Sequence, residues 1–338
     1  MIFEYRTIAQ AMQGVRARYR WIPQTLGLLT PASAFLGLYL GEIFMGITIL
    51  YLLVFSMFLD LMFGKDNTDN PNQEGFAHDI IIHLHAILVP VLTIYLIYTI
   101  SISDWSGFLV LGIISVGLSN GASGIITAHE LGHRRPRSSS WYLARVDLLS
   151  VLYLHFTTEH NYTHHKHWAR EVDPTSSKFG DSIYLHFIKT VPLQIKGALS
   201  AKKSNTMKQF ALEAILTITI FAISPLGGVA FISQALIAIF LLEFVNYLQH
   251  HGLERGEKER AGAHHAWESR HRWSRWTLLE LPLHPSHHLK ASTHYERLEV
   301  HDDSPQLPYG YYVMFWISLI PPLFEKLMRE SHESFLGE

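Results

Sequence analysis

The sequence predicts an all-α fold: a polytopic membrane bundle of six transmembrane helices with a cytoplasmic, helical, histidine-rich cap. Three observations lead to this prediction: long stretches without Lys or Arg, apolar runs inside those stretches, and the confinement of all 27 basic residues to four places. A hydrocarbon core about 30 Å thick is crossed by about 20 apolar helical residues. The basic residues fall in 1–20, at Lys65, in 134–208 and in 255–338.

The expected spans follow the stretches that lack basic residues, in chain order. They cover approximately residues 22–41, 43–63, 79–100, 107–128, 209–224 and 227–249. Trp21 and Trp105 stand near span ends, where indole rings favour the membrane interface. The first 20 residues are basic and lack an apolar stretch before a small-residue cleavage site, so we expect no cleavable signal peptide.

The charge distribution also predicts an orientation. With six spans, the connections at 41–42, 101–106 and 225–228 lie on one side and contain no Lys or Arg. Positive residues in short loops mark the cytoplasmic side. We therefore expect a single membrane-embedded domain over 1–338 in the inner membrane, with both termini and the portions 129–208 and 250–338 in the cytoplasm.

The absence of cysteine limits the possible chemistry. A chain with no Cys has no disulfide, no thiolate metal site and no iron–sulfur centre of its own. The net charge of −2 indicates no partner, and no basic-aromatic pattern suggests nucleic acid.

Histidine is abundant, with 22 residues, and its spacing is informative. His129 and His133 stand in the motif His-Glu-Leu-Gly-His at the end of the fourth expected span. Residues four apart on a helix share one face and can bind one metal ion. The same motif is the zinc-protease signature, with Glu130 as general base, so this pair alone leaves a protease possible.

A second cluster, His160, His164 and His165, lies in Glu-His-Asn-Tyr-Thr-His-His. On an α-helix His160 and His164 would share a face, while His165 would be rotated by about 100° and could serve a second metal.

A third cluster, His284, His287 and His288, has the same kind of spacing, and His250 ends the sixth expected span. These candidates make nine imidazoles in all. A catalytic zinc takes three protein ligands and a structural zinc four, whereas two metals with four or five ligands each would use all nine. Carboxylate di-iron bundles use paired Glu and Glu-x-x-His motifs on four helices, and the histidine clusters do not form such a paired set. Imidazole binds iron, copper, zinc and nickel, so ligand type leaves the metal open.

The remaining histidines carry less weight. We expect interfacial or channel-lining positions for His78, His83 and His85. The group His264, His265 and His271 suits hydrogen bonding to the ligands better than ligation, since ligating imidazoles usually need such partners.

The histidine segments resemble those of the membrane alkane 1-monooxygenases. The resemblance runs from about residue 21 to 312 and is carried by residues 129–134, 159–165, 172–181, 246–253 and 283–288. Membrane desaturases and fatty-acid hydroxylases share the three-cluster plan, but the Asn-Tyr-x-x-His-x-Gly-Leu and Asp-Pro-x-Ser-Ser segments favour the alkane enzymes. The chain departs from the family at His251, where Tyr is more common, and at 283–286.

The resemblance implies a cytoplasmic di-iron site (Fe²⁺/Fe³⁺) held by the nine histidines. It implies O2-dependent hydroxylation of a medium- or long-chain alkane to a 1-alkanol, with the substrate entering from membrane lipid. Electrons would come from a separate rubredoxin, itself reduced by a rubredoxin reductase.

Three further sets of residues are candidates around such a site. Carboxylates and an amide that could hydrogen-bond the ligands are Glu130, Glu159, Asp173, Asp181, Glu280 and Asn246. Possible substrate-channel residues are Leu52, Phe55, Phe58, Leu118 and Ile125, with Phe44 and Gly121 beside them; Gly117, Gly121 and Gly124 are better explained by close helix packing. A basic rim of Arg134, Arg135, Arg137, Lys166 and Arg170 could dock an acidic electron donor or meet anionic lipid.

Three other functions remain as alternatives. A membrane desaturase or fatty-acid hydroxylase would differ in its product. An intramembrane zinc protease would use one metal and would not need the third histidine cluster. A metal transporter would not require histidines at helix-face spacings.

Overall fold

The computed structural model describes residues 19–70 and 75–337, and the regular secondary structure of this part of the chain is helical, without a β-strand. The helices are α1 (21–40), α2 (Glu42–Met62), α3 (Phe76–Ile102), α4 (Gly107–Gly132), α5 (Ser139–Ser150), α6 (156–167), α7 (Ile183–Ile223), α8 (Pro225–His250), α9 (Arg272–Thr277), α10 (His284–Leu289), α11 (Tyr311–Ser318) and α12 (Pro321–Leu336). Short 3₁₀ turns lie at Ala263–His265 and Tyr295–Arg297. The predicted all-α class is confirmed.

Five helices in the described ranges are long and apolar enough to cross a membrane: α2, α3, α4, α7 and α8. The first expected span, 22–41, is helical as α1 but is not among them. Its first half contains Pro23, Gln24 and Thr25 and tightens into a 3₁₀ turn at Thr25–Leu28. Gln24 is fully buried and donates to Glu280, so this end of α1 belongs to a polar region of the protein.

The expected spans 79–100, 107–128, 209–224 and 227–249 are narrower than the helices, most clearly 209–224, whereas 43–63 matches α2 to within one residue. The span 209–224 is the last part of α7, which begins at Ile183 and has non-helical backbone angles at Lys202. Hydropathy marks only the apolar middle of each helix, whereas the helices continue into polar turns that carry histidines. The chain reverses at Gly41, whose φ of +74° favours glycine, and α2 follows directly.

Small residues let α4 pack closely against its neighbours. A Cβ atom on Gly117, Gly121 or Gly124 would come within 2.7–2.8 Å of Ile237, Leu241 or Val89, respectively. These contacts support the packing interpretation of the glycines, which is the usual role of small residues in membrane bundles.

The outside of the bundle is apolar, as lipid contact requires. Ile94, Ile218 and Ile223 are each at least two-thirds exposed, although the interior already holds a large apolar core. Exposed apolar patches of this kind mark membrane or partner contact. Together with the five long apolar helices, this surface identifies a membrane protein.

A buried ion-pair network fixes the segment before α10. The Arg275 guanidinium donates to Glu280 at 2.6 Å, and Arg20 approaches the same carboxylate at 3.0 Å. Burial alone would raise the pKa of Glu280, but the two arginines lower it. Leu279 and Glu280 both have positive φ, so this network holds a strained turn that leads into the histidines of α10.

Candidate metal centre

Four helical segments bring all nine candidate histidines together in two groups. His129 and His133 come from the end of α4, His250 from the end of α8, and the others from α6 and α10. The first group is His129, His133, His160, His165 and His287. The second group is His164, His250, His284 and His288. Within each group, one ring nitrogen per residue lies within 4.8 Å of every other.

The division of the second cluster differs from the prediction. His160 and His165 belong to the first group, with their Nε2 atoms 2.9 Å apart, and His164 belongs to the second. The reason is that residues His160–His164 form a π-helical turn, in which residues five apart lie above one another. The expectation that His165 is the residue turned away from His160 assumed a regular α-helix, whereas in the structure His164 is the one in the other group.

In the second group the ring nitrogens form a short chain. The Nε2 atoms of His164 and His288 are 3.2 Å apart, those of His288 and His284 are 2.7 Å apart, and those of His284 and His250 are 3.1 Å apart. His284 and His288 are four residues apart on α10, while His287 points to the first group. A single helical turn therefore supplies both groups.

The 3.2 and 3.1 Å spacings fit metal coordination, and the 2.7 Å spacing is shorter. Ligand nitrogens about 2.1 Å from a metal, at tetrahedral or octahedral angles, lie about 3.0–3.4 Å from one another. The orientation of His164 fits as well: its Nδ1 is 3.1 and 3.2 Å from the two carboxylate oxygens of Asp173. A ring that donates from Nδ1 keeps its Nε2 lone pair for a metal, which is the usual arrangement of ligating histidines.

Burial keeps these imidazoles neutral. It lowers the pKa of His160, His165, His284, His287 and His288 well below the usual histidine value, and neighbouring histidines lower each pKa further. The pKa of His133 falls to about 4 for the same reasons. Neutral rings offer lone pairs, so the donor set suits divalent transition metals.

Of the residues expected to hydrogen-bond the ligands, only Asp173 has a described hydrogen bond to a ring nitrogen of a histidine in either group. Burial would raise the pKa of Asp173, but the interaction with His164 and the hydrogen bond from Ser176 lower it to about 2. Glu159 is fully buried, and burial followed by repulsion from Asp173 raises its pKa. The amide of Asn246 donates to Glu243.

Three of the carboxylates expected to hydrogen-bond the ligands contact other groups instead. Asp181 accepts from the backbone of Lys178, and Glu280 pairs with arginines as described above. Glu130 accepts from the backbone N–H of Tyr295 at 3.3 Å and lies 3.7 Å from Arg134. A carboxylate held in this way is not placed as the general base that the zinc-protease alternative requires.

A further group, Glu259, His264 and His265, could in principle hold a metal. His265 accepts from the backbone N–H of Gly262 at Nδ1, so its proton lies on Nε2, 3.2 Å from Glu259. These contacts are hydrogen bonds within a loop. Of the other histidines, His85 contacts Ser123 and His83 contacts Ser140, while His271 contacts Ser269.

An apolar cavity ends at the histidines. His129, His160 and His284 lie in its wall, which is otherwise formed mainly by apolar side chains of α2, α4, α8 and α11. Leu52 and Ile125, two of the expected channel residues, lie in its wall, and so does Gly121. The expectation for Phe55, Phe58 and Phe44 is wrong, because these rings are at least half exposed on the outer face of α2. Leu118 is buried in the core but does not line the cavity.

The π-helical turns all adjoin this cavity. The turns Leu50–Phe55 in α2, Asn120–Ile125 in α4 and His160–His164 in α6 each contribute lining residues. Such turns are rare in helices and frequently occur at functional sites.

Sequence reasoning missed two aromatic side chains that pack on the histidines. Phe156 stacks on His160 with ring centroids 4.9 Å apart, and Trp168 stacks on His288 at 4.4 Å. Each lies four residues from a histidine, Phe156 from His160 and Trp168 from His164. That helix-face spacing was the available signal.

Only part of the predicted basic rim is exposed. Arg135, Arg137 and Lys166 are exposed. Arg134 is largely buried and pairs with Asp79, and Arg170 donates to the backbone of Glu257.

Comparisons with known proteins agree with this geometry. The fatty acid desaturase family matches residues 103–318. The chain is 30% identical to alkane 1-monooxygenase 2 of Alcanivorax borkumensis, over 91% of this chain and 88% of that protein. It is 32% identical to alkane 1-monooxygenase 1 of Pseudomonas aeruginosa, over 80% and 78%. It is 30% identical to alkane 1-monooxygenase of Ectopseudomonas oleovorans, over 97% and 89%.

These similarities extend over the helices that carry both histidine groups, and they confirm the resemblance found in the motifs. The chain therefore belongs to the membrane alkane 1-monooxygenase family of oxidoreductases, within the fatty acid desaturase family.

Proposed function

We propose that this protein hydroxylates the terminal carbon of a medium- or long-chain alkane at a di-iron site held by the two histidine groups. One observation carries the proposal: an apolar cavity inside the membrane bundle ends at histidines from both groups, His129 and His160 of the first and His284 of the second. An apolar chain in that cavity has its end next to the proposed metals.

In the proposed site, some side chains bind the metals and others hold the substrate in position. The first group offers five imidazoles to one metal and the second offers four to the other. Iron bound there supplies the chemistry that activates O2. The wall of the cavity makes no strong polar contact with an alkane, so selectivity for the terminal carbon depends on shape and on holding that carbon near the histidines. Phe156 and Trp168 cover one ring of each group and exclude water from it.

The reaction also needs two electrons and two protons for each O2 consumed, because one oxygen atom enters the alcohol and the other leaves as water. The sequence has no cysteine for an iron–sulfur centre, so a separate donor is required. We propose a rubredoxin, reduced by its own reductase. His133 and His165 are only partly buried, and the exposed Arg135, Arg137 and Lys166 lie beside them in the chain, which suits docking of an acidic donor.

The proposed orientation takes α1 as a sixth crossing beside the five long apolar helices, and it places the histidines and both termini in the cytoplasm of an inner-membrane protein. Basic residues are absent from the turns at 41–42, 101–106 and 225–228, which supports this assignment. A reporter fused after residue 338 should be active only inside the cell; activity only outside would contradict the orientation.

The decisive experiment measures metal content and product on one preparation. Purified protein supplied with reduced rubredoxin, O2 and octane should contain two irons per chain and form 1-octanol. An alkene or a hydroxylated fatty acid as the main product would favour the desaturase or fatty-acid hydroxylase alternative. A single zinc with peptidase activity would reject the proposal.

Single substitutions test the nine ligands. Alanine at His250 or His284 should remove metal from the second group, whereas His264→Ala, outside both groups, should leave two irons bound. Full iron content in the His250→Ala protein would remove that residue from the ligand set.

A further inference from the structure

Side chains of α2 and α11 form part of the wall between the cavity and the outside of the bundle. Leu53 and Phe315 line the cavity, while their sequence neighbours Val54 and Trp316 face outward. Trp316 is 40% exposed on the apolar surface of the bundle. One layer of side chains therefore separates the cavity from the position of the lipid.

A single hydrogen bond closes this layer. The indole Nε1 of Trp316 donates to the backbone carbonyl of Leu53 at 2.7 Å, and that carbonyl belongs to the π-helical turn of α2. Behind it, the rings of Phe315 and Phe244 meet edge to face at 5.3 Å, and both line the cavity. The indole thus covers the gap between two cavity-lining residues from the outside.

The backbone of α11 is held at both ends. At its start, the hydroxyls of Tyr311 and Tyr312 are hydrogen-bonded to Gln249 and Thr277. Just beyond its end, the Leu319 carbonyl accepts from the hydroxyl of Tyr184 at 2.9 Å. Because the helix is fixed, the parts free to move are the side chains of Trp316 and Phe315.

We propose that Trp316 is the gate of a lateral entrance through which an unbranched alkyl chain passes from the bilayer into the cavity. The inference rests on the proposed function for the identity of its substrate. Rotation of the indole breaks one hydrogen bond and opens a slot beside Leu53 and Phe315, two apolar residues that line the cavity. Two rings and a helix border the slot, so it admits a narrow chain and excludes a branched or cyclic one.

In the closed state the hydrogen bond also satisfies the indole N–H in an apolar environment, which would otherwise be unpaired. A net hydrogen bond of ordinary strength changes an equilibrium by a factor of about 2 to 10. Trp316→Phe keeps an aromatic ring but removes the donor, and it should raise the open fraction by that factor. Trp316→Leu removes both the donor and the ring and should raise it further.

The entry rate can be measured without turnover. Protein in lipid nanodiscs is mixed with an octyl diazirine and flashed after increasing delays, and the labelled peptides that contain cavity-lining residues are quantified. The half-time of labelling should shorten about 2- to 10-fold in Trp316→Phe and more in Trp316→Leu. Trp105→Phe, an exposed tryptophan at a distant turn, is the matched control and should label as the unmodified protein does.

Steady-state kinetics add a second readout. The Trp316 variants should accept 2-methyl-branched and cyclohexyl-ended alkanes with a lowered KM, while kcat for octane stays unchanged. Faster labelling in a protein that forms no alkanol would support the gate and reject the proposed function. Unchanged labelling half-times in both Trp316 variants of an active enzyme would overturn the gate alone.

Discussion

Replacing Asp173 with asparagine tests whether the hydrogen bond to His164 organises the second histidine group. The Asp173 carboxylate receives His164 Nδ1 at 3.1 and 3.2 Å, the Thr175 hydroxyl at 2.9 and 3.0 Å, and the Ser176 hydroxyl at 2.6 Å. All its contacts with these groups are made as an acceptor. An asparagine keeps one acceptor oxygen and turns an NH2 donor toward the remaining donors.

We expect Asp173→Asn to lower the affinity of the second group for its metal. Loss of such a partner typically costs about 10- to 100-fold in metal affinity, equal to about 1.4–2.8 kcal/mol. The substitution also removes a buried negative charge next to the proposed metal, so we expect the upper half of that range. Iron content per chain and competition with a graded chelator series would measure the change.

Asp181→Asn is the matched control. Asp181 lies in the same segment, but its carboxylate accepts from the Lys178 backbone at 3.1 Å and lies 3.5 Å from Lys189. This variant should keep both irons at the original affinity. If folded Asp173→Asn protein, checked by its helical circular dichroism, also kept both irons at the original affinity, the orienting role of Asp173 would be refuted.

Four further outcomes are expected. Glu130→Gln should leave octane hydroxylation within about twofold, because Glu130 contacts Tyr295 and Arg134 and not a substrate; a complete loss measured by product analysis would reopen the protease-like role. Chelator treatment should lower the thermal midpoint in detergent, since a metal that binds only the folded state stabilises it, and an unchanged midpoint would argue against a bound metal. Burial lowers the pKa of His155 to about 4, so as pH falls below about 6.5 the unfolded chain protonates this imidazole before the folded protein does. The free energy of unfolding should therefore decrease by about 2 kcal/mol between pH 7 and pH 5 because of this residue. In thermal melts, His155→Phe should show a shallower decrease. Arg135→Glu with Arg137→Glu should raise the KM for rubredoxin at low salt without changing iron content, whereas Lys326→Glu on α12 should not; equal KM values in both proteins would leave lipid contact as the role of the two arginines.

The sequence was a good guide to which histidines meet, because their spacing and their positions at helix ends are local properties. His129 and His133 share a group, as do His284 and His288, which follows from four-residue spacing on a helix. It was a poor guide to how the central cluster divides between the two groups. Nothing in Glu-His-Asn-Tyr-Thr-His-His specifies a π-helical turn, since that turn depends on packing with the rest of the bundle.

The positions of cavity residues were also only partly predictable. The apolar residues of α2 have similar composition on all sides, as expected for a membrane helix, so hydropathy cannot separate Leu52 inside from Phe55 and Phe58 outside. The same limit applies to α1, where helix formation was predicted correctly but the helix is not among the five long apolar ones. Tertiary contacts such as Gln24 with Glu280 decide the environment of that helix.

The π-helical turn Asn120–Ile125 separates the apolar part of α4 from the turn that carries His129 and His133. Each helical residue advances the chain by 1.5 Å and rotates it by about 100°. Deletion of one residue within that turn would restore a regular α-helix and rotate both histidines by about that angle, away from their partners. We therefore expect the protein to tolerate a change of residue type in this stretch more readily than a change in its length. Deletions of a single residue there should be absent from functional variants.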